Sequence, residues 1–136
     1  MSKREELQAK IQAAKDAERK ARKDRSDKEF EEIADLLISN PSHSLVEVEE
    51  APVDLPGFVV LRIPKKAEFN KFRSTLWGSD LEAKSKAGID LASVCVVYPS
   101  RDRYMALVEA LPGVADRCGN VARSMAEGEV RDEAKK

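Results

Sequence analysis

The chain has 136 residues and a formal net charge of -1, with 36% charged residues and 5% aromatic residues. This length suits one domain with a modest core, and so few aromatic residues favour helices over a β-sandwich or barrel. The balanced charge lacks the basic surplus of nucleic-acid binders, so nucleic acid is not an expected partner. There is no apolar run long enough to span a membrane and no secretory signal, so we expect a cytoplasmic protein with no membrane partner.

A single helix is predicted from residue 2 to about residue 39. Ser2 is positioned to cap its N-terminus, with Glu5 at the capping-box spacing, and a proline stops its far end. Residues 1–29 are rich in charge and present a thin apolar face, which predicts a loosely attached helical arm. A weak coiled coil or a docking arm is the alternative there. The rest of the helix carries a regular apolar stripe, which predicts packing on the core.

Two stretches are typical of β-strands, residues 44–50 and residues 57–64. Valines alternate with glutamates in the first, and the second is apolar or β-branched at most positions. The segment that joins them carries two prolines, so the pair predicts a hairpin at about residues 44–63. Two strands alone are marginally stable, and we therefore expect the hairpin to lean on helices.

The chain then returns to helical periodicity. One helix is predicted after Pro64 and ends at Gly78, and a second begins at Ser79 or Asp80 and runs to Tyr98. Gly88 is a weak point inside the second helix because glycine is a poor helix former.

Two further helices are predicted around a corner at Leu111-Pro112-Gly113. The fold class that follows is mainly α with a small β-hairpin (α+β): a long N-terminal helix, two short strands, then a compact C-terminal helical bundle. The domain organisation is a charged helical arm at 1–29, a single mostly helical domain at 30–126, and a charged flexible tail at 127–136.

Catalytic and cofactor motifs are missing from the sequence. The six glycines are scattered and form no phosphate-binding loop, and the single histidine, His43, lies in a turn-like stretch without an evident partner. Zinc-type cysteine spacing is also absent. We therefore expect no enzyme activity, no cofactor and no metal. Cys95 and Cys118 lie in apolar-periodic segments, which predicts two reduced, buried thiols.

Four aromatic residues are candidates for binding a partner, because amphipathic helices can offer apolar grooves to a partner's helix. Phe69 and Phe72 lie on one predicted helix, Trp77 stands at its end, and Tyr104 belongs to the stripe of a later helix. Trp77 suits an interface anchor and a lid on the core equally well. Sequence alone does not separate core from groove, so all four remain candidates.

The order of motifs in the second half has a parallel. Residues 95–99 read Cys-Val-Val-Tyr-Pro, followed by a charged helix start with Tyr104, the corner at 111–113 and a closing helix. Upstream, residues 62–73 combine a proline, basic residues and two aromatics. Over about residues 57–126 the chain resembles the tail assembly chaperones of long-tailed bacteriophages.

The resemblance implies a small, mostly helical assembly factor without catalytic residues, working in the host cell cytoplasm. Proteins of this family bind the long, aggregation-prone tape measure protein while the tail tube forms around it, and they are generally absent from the finished virion. The implied partners are therefore the tape measure protein and other tail assembly proteins. The resemblance does not extend to the N-terminal helix.

Other interpretations stay open. The protein could be a structural component of a virion or another assembly, with the long N-terminal helix used for docking. A nucleic-acid-binding accessory protein that uses the basic stretches is a further class. Homo-oligomerisation is compatible with each of these interpretations.

Overall fold

Five helices surround a three-stranded sheet in the computed structural model, which describes residues 2–128. This confirms the predicted mainly α fold with a small β part. The elements are α1 Lys3–Ser39, β1 Ser44–Glu47, β2 Phe58–Leu61, α2 Lys66–Trp77, α3 Leu81–Cys95, β3 Val96–Tyr98, α4 Arg101–Ala110 and α5 Gly113–Ala126.

Most of the charged tail predicted at 127–136 lies outside the described residues, which end at Gly128. None of the helices within residues 2–128 has the length and apolar character needed to cross a membrane.

Side chains cap the N-termini of three helices, and the caps at α1 and α3 lie where the sequence predicts them. The Ser2 hydroxyl accepts a hydrogen bond from the Glu5 amide at 3.2 Å, at the start of α1. The Asp80 carboxylate accepts one from the Ala83 amide at 3.1 Å, at the start of α3. Such caps satisfy amides that the first helical turn leaves without a partner. Because only a few residue types cap well, helix starts can be predicted from the sequence.

The predicted hairpin is confirmed, but the sheet has a third strand where the sequence analysis expected helix. β1 and β2 pair antiparallel along their whole length, and β3 pairs antiparallel with the other side of β2. The helix expected to reach Tyr98 therefore ends at Cys95. The residues of β3 are β-branched or aromatic and precede Pro99, so they favour an extended backbone. In addition, one edge of β2 is free to pair with them.

Strand β2 is buried on both faces and separates two apolar layers. Phe58 and Val60 face α1, where they meet buried Ile33 and partly buried leucines. Val59 and Leu61 face the main core, which the sheet shares with α3, α4 and α5. Burial on both faces explains why β2 is a continuous apolar run, whereas β1 alternates with glutamates.

One acidic side chain of α1 is buried and binds the backbone at the start of β2. The Glu29 carboxylate, 7% exposed, accepts hydrogen bonds from the amides of Gly57 at 3.1 and 3.2 Å and Phe58 at 3.0 Å. One turn earlier, the Arg25 guanidinium donates to the carbonyl oxygens of Ala51, Pro52 and Leu55. The two side chains fasten the whole β1–β2 loop to the helix.

Gly57 makes this close approach sterically feasible. A Cβ at this position would lie 2.6 Å from the Ser26 hydroxyl oxygen and 2.9 Å from the Arg25 Nε. A side chain here would displace the Ser26 and Arg25 side chains from their present positions.

The rest of the protein contacts α1 nearer to the N-terminus of this helix than the sequence predicts. Arg22 already lies 3.4 Å from the carboxylate of Glu50, within the segment 1–29 that was expected to form a loose arm. Residues 2–20 are exposed throughout. The freely exposed part of the helix is thus shorter than the predicted arm, because Arg25 and the residues around it find partners in a loop that is distant in sequence.

Helices α3 and α5 approach closely where a glycine of each meets. A Cβ at Gly119 would lie 2.8 Å from the Gly88 carbonyl oxygen, so no side chain fits there. A Cβ at Gly88 would meet nothing within 4 Å. Helix α3 is continuous through Gly88, so the predicted weak point does not interrupt the helix.

Replacing Glu29 with Ala is expected to lower the free energy of unfolding by about 2–4 kcal/mol, because two buried amides lose their acceptor. Urea denaturation followed by circular dichroism measures the change. Glu31→Ala, an exposed acid on the same helix, is the matched control and should change stability by less than about 0.5 kcal/mol. Similar losses for the two variants would contradict the anchoring role of Glu29.

The two glycines of the helix crossing should respond to alanine in opposite directions. Gly119→Ala is expected to lower the free energy of unfolding by about 1–3 kcal/mol, because its methyl group meets the backbone of α3. Gly88→Ala should raise it by up to about 1 kcal/mol, because alanine favours helix and the space is open. The same urea titration checks both, and a stabilised Gly119→Ala variant would contradict the close crossing.

Candidate partner-binding site

A bidentate ion pair fixes the first turn of α2 against its neighbours. Both terminal nitrogens of Arg62 donate to the Glu68 carboxylate at 2.8 Å, and one also donates to the Val94 carbonyl oxygen at 2.7 Å. Glu68 in turn accepts from the amide of Lys65, the N-cap residue of α2, at 2.8 Å. The hydrogen bonds from Arg62 lower the pKa of Glu68 to about 2. These contacts set the direction in which α2 leaves the sheet.

One face of α2 packs on helices α3 and α5. Phe72 is buried in a cluster with Ala87 and Leu91 of α3 and Ala122 of α5. The Phe69 ring lies 5.7 Å from the Phe72 ring, centroid to centroid, at the partly buried edge of this cluster. This second apolar cluster holds α2 in place and decides which of its residues face solvent.

Two large apolar side chains project into solvent where α2 turns into α3. Trp77, the last residue of α2, and Leu81, the first residue of α3, are each 78% exposed. The Arg73 guanidinium lies over the Trp77 ring at 5.7 Å and over the Phe69 ring at 5.2 Å, each distance taken to the ring centroid. We call Trp77, Leu81 and Arg73 the α2–α3 corner.

The structure separates the four aromatic candidates into two groups. Trp77 is exposed, and Phe69 is partly exposed beside it. Phe72 and Tyr104 are core residues, 6% and 3% exposed, so a partner cannot reach them while the helices stay packed. Both belong to apolar stripes, and a stripe looks the same in sequence whether another helix covers it or a partner does.

The Tyr104 hydroxyl lies deep in the main core, near the thiol of Cys118, and burial is the main cause that raises its pKa. The residues that sequence analysis missed are Leu81 and Arg73. Leu81 directly follows the Asp80 cap and stands outside the core, although it is a large apolar residue of an amphipathic helix. A large apolar residue in the first turn of a helix is a weak signal of this kind of exposure.

A shallow cleft of about 270 Å³ lies between α2, α3 and α5. Phe72 and Leu76 form its apolar side, Gly88 and Gly119 lie at its floor, and Arg123 is among its polar residues. The Arg123 guanidinium lies 5.6 Å from the Phe72 ring centroid. This cleft is small and partly polar, whereas Trp77 and Leu81 of the α2–α3 corner are large apolar side chains exposed to solvent.

Groups that could carry chemistry are hidden or isolated. Cys95 and Cys118 are both buried and are not joined in a disulfide, in line with the predicted buried thiols, and burial raises the pKa of Cys95 to about 11. Within residues 2–128 there is no cluster of three or more His, Cys, Asp or Glu side chains suited to a metal ion. His43 is half-buried in the loop between α1 and β1.

No protein-family model matches the chain, and neither a curated protein nor a solved structure matches it.

Alanine substitutions should separate the exposed aromatic from the buried one. Trp77→Ala is expected to change the free energy of unfolding by less than about 0.5 kcal/mol, because the ring covers little of the core. Tyr104→Ala should lower it by about 3 kcal/mol or more, because a large cavity opens in the main core. Urea denaturation followed by circular dichroism checks both, and a Trp77→Ala loss as large as that of Tyr104→Ala would make Trp77 a core residue.

Proposed function

We propose that this protein is a non-catalytic tail assembly chaperone of a long-tailed bacteriophage, which binds the tape measure protein in the host cytoplasm during tail assembly. The observation that carries the proposal is the α2–α3 corner, where Trp77 and Leu81 are each 78% exposed. Trp77 and Leu81 are four residues apart in sequence, and large apolar side chains that are exposed together at one turn of the chain are typical of surfaces that bind another protein.

The resemblance supports the same function. Its Cys-Val-Val-Tyr-Pro stretch forms the end of α3 and strand β3, and its Leu-Pro-Gly stretch forms the corner between α4 and α5. Cys95 and Tyr104, which belong to the resemblance, are buried in the main core. These residues build a scaffold that presents the α2–α3 corner, and none of them needs to meet a substrate.

Binding through such a surface suits a temporary role. A tape measure protein is long, so several chaperone copies can cover its apolar helices through many weak contacts. Each contact is small enough to be displaced when tube subunits enclose the same helices. The chaperone then returns to the cytoplasm, and no covalent bond is made or broken in the process.

Co-expression with the tape measure protein of the same genome tests this function. We expect the tape measure protein to move from the insoluble to the soluble fraction and to co-purify with this chain. The control is the Trp77→Ala, Leu81→Ser double variant. It should fold normally, but less tape measure protein should appear in the soluble fraction when this variant is co-expressed. A tape measure protein that is equally insoluble with and without this chain, and that forms no complex, would contradict the proposal.

A structural component of the virion is the second candidate. The observation that favours it is the exposed helix at residues 2–20, in which Leu7 and Ile11 are 47% and 55% exposed. Such a helix could remain docked on a neighbouring subunit in a finished particle. Mass spectrometry of purified virions distinguishes the two candidates, because a chaperone should be absent from them.

A further inference from the structure

The exposed face of α2 places cations in line with Trp77. Lys66, Asn70, Arg73 and Trp77 follow one another at helical spacing, and all but the half-buried Asn70 are exposed. Lys71 is exposed beside this line. We call Lys66, Lys71, Arg73 and Trp77 the α2 face.

Arg73 holds the α2 face in one arrangement before any partner arrives. Its guanidinium donates a hydrogen bond to the Asn70 side-chain oxygen at 2.7 Å and stacks over the Trp77 ring at 5.7 Å from the centroid. A tryptophan that is already ordered loses less entropy on binding. Trp and Arg are also the residues that most often dominate the energy of protein interfaces.

The cations of the α2 face have no acidic partner among the described residues. Lys66, Lys71 and Arg73 take part in none of the ion pairs within residues 2–128. Glu68 is the one acid in the sequence of α2, and Arg62 holds both of its carboxylate oxygens. The α2 face therefore complements carboxylates supplied from outside.

The other end of the surface argues against nucleic acid and anionic membranes. Leu81 is flanked by Asp80 and Glu82, whose exposed carboxylates would repel phosphate groups. A partner helix avoids this repulsion if its carboxylates lie beside the cations of α2 and only its apolar residues reach Leu81.

We propose that the α2 face and Leu81 together dock an acidic amphipathic helix of the partner protein. Trp77 and Leu81 contact the apolar stripe of that helix, and Lys66, Lys71 and Arg73 pair with its carboxylates. That the partner is a helical client rests on the proposed function, whereas its charge and its apolar stripe are deduced from the residues of this surface.

The fluorescence of Trp77 provides a direct test, because it is the only tryptophan in the chain. The probe is a Trp-free synthetic peptide of about 20 residues, long enough to form a helix on binding, with a Leu stripe flanked by Glu. We expect a saturable blue shift of the Trp77 emission that weakens with added salt. The matched peptide with Lys in place of Glu should produce no shift.

Charge reversal of the α2 face provides the second arm. The triple variant Lys66→Glu, Lys71→Glu and Arg73→Glu should bind the acidic peptide about tenfold or more weakly, and it should now bind the Lys peptide. The matched control reverses three exposed lysines of α1 through Lys3→Glu, Lys10→Glu and Lys15→Glu, and it should bind the acidic peptide as the unaltered protein does. Circular dichroism of both variants confirms that they fold.

The apolar contact is tested without removing the reporter. Leu81→Ser should weaken binding of the acidic peptide about fivefold or more. Ile38→Ser is the matched control, because Ile38 is 76% exposed on α1, outside this surface, and it should leave the affinity unchanged.

Several results would overturn the docking surface: no shift with the acidic peptide, an equal shift with the Lys peptide, or equal losses from the two triple variants. A shift that appears only with single-stranded DNA, with anionic phospholipid vesicles or on self-association at high protein concentration would also overturn it. The tape measure co-expression is scored separately. Peptide binding without tape measure binding would remove the chaperone function and keep the surface, and the reverse result would remove the surface and keep the function.

Discussion

The buried carboxylate of Glu29 holds helix α1 on the sheet, and the apolar layer between α1 and the sheet is built around that contact. A carboxylate is tolerated in the interior where hydrogen bonds replace water, and the amides of Gly57 and Phe58 supply them at 3.0 to 3.2 Å. Because these amides begin β2, polar bonds set the register of the helix on the strand, while the apolar side chains fill the space between. Tyr98 of β3 lies near the same carboxylate, and burial together with that charge raises the pKa of Tyr98 to about 12. A single side chain thus connects α1 with two strands.

The contacts that the chain makes directly after β2 determine where the proposed binding surface lies. Arg62 at the end of this strand grips Glu68 in the first turn of α2, and Phe72 then enters the cluster between α2, α3 and α5. Trp77 stands five residues after Phe72, which places it about 140° around the helix from that buried ring. Because other helices cover α2 on the Phe72 side only, Trp77 is left exposed. Leu81 begins the next helix before the chain returns to the core, so it shares the exposure of Trp77.

The functional proposals join this apolar corner to the charge beside it. An exposed tryptophan alone would bind apolar partners with little discrimination, and exposed lysines alone would attract any anion. Together on one rigid helix they favour a partner helix that has carboxylates next to an apolar stripe. Such a surface would bind a partner helix reversibly, which suits the proposed assembly factor because it must later dissociate from its partner. The exposed first half of α1 adds a second surface, which matters most if the protein stays in a finished particle.

The sequence by itself determined the helices, most of their ends and the hairpin, because caps, prolines and hydrophobic periodicity act between residues close in the chain. Tertiary structure decided three other features. Val96–Tyr98 became a strand because β2 offered an edge, and Glu29 became an anchor because a distant loop brought two amides to it. It also decided that Phe72 and Tyr104 are core while Trp77 is surface. Periodicity identifies the apolar face of a helix, but whether that face is covered depends on elements far away in sequence, and that coverage separates a core residue from a binding residue.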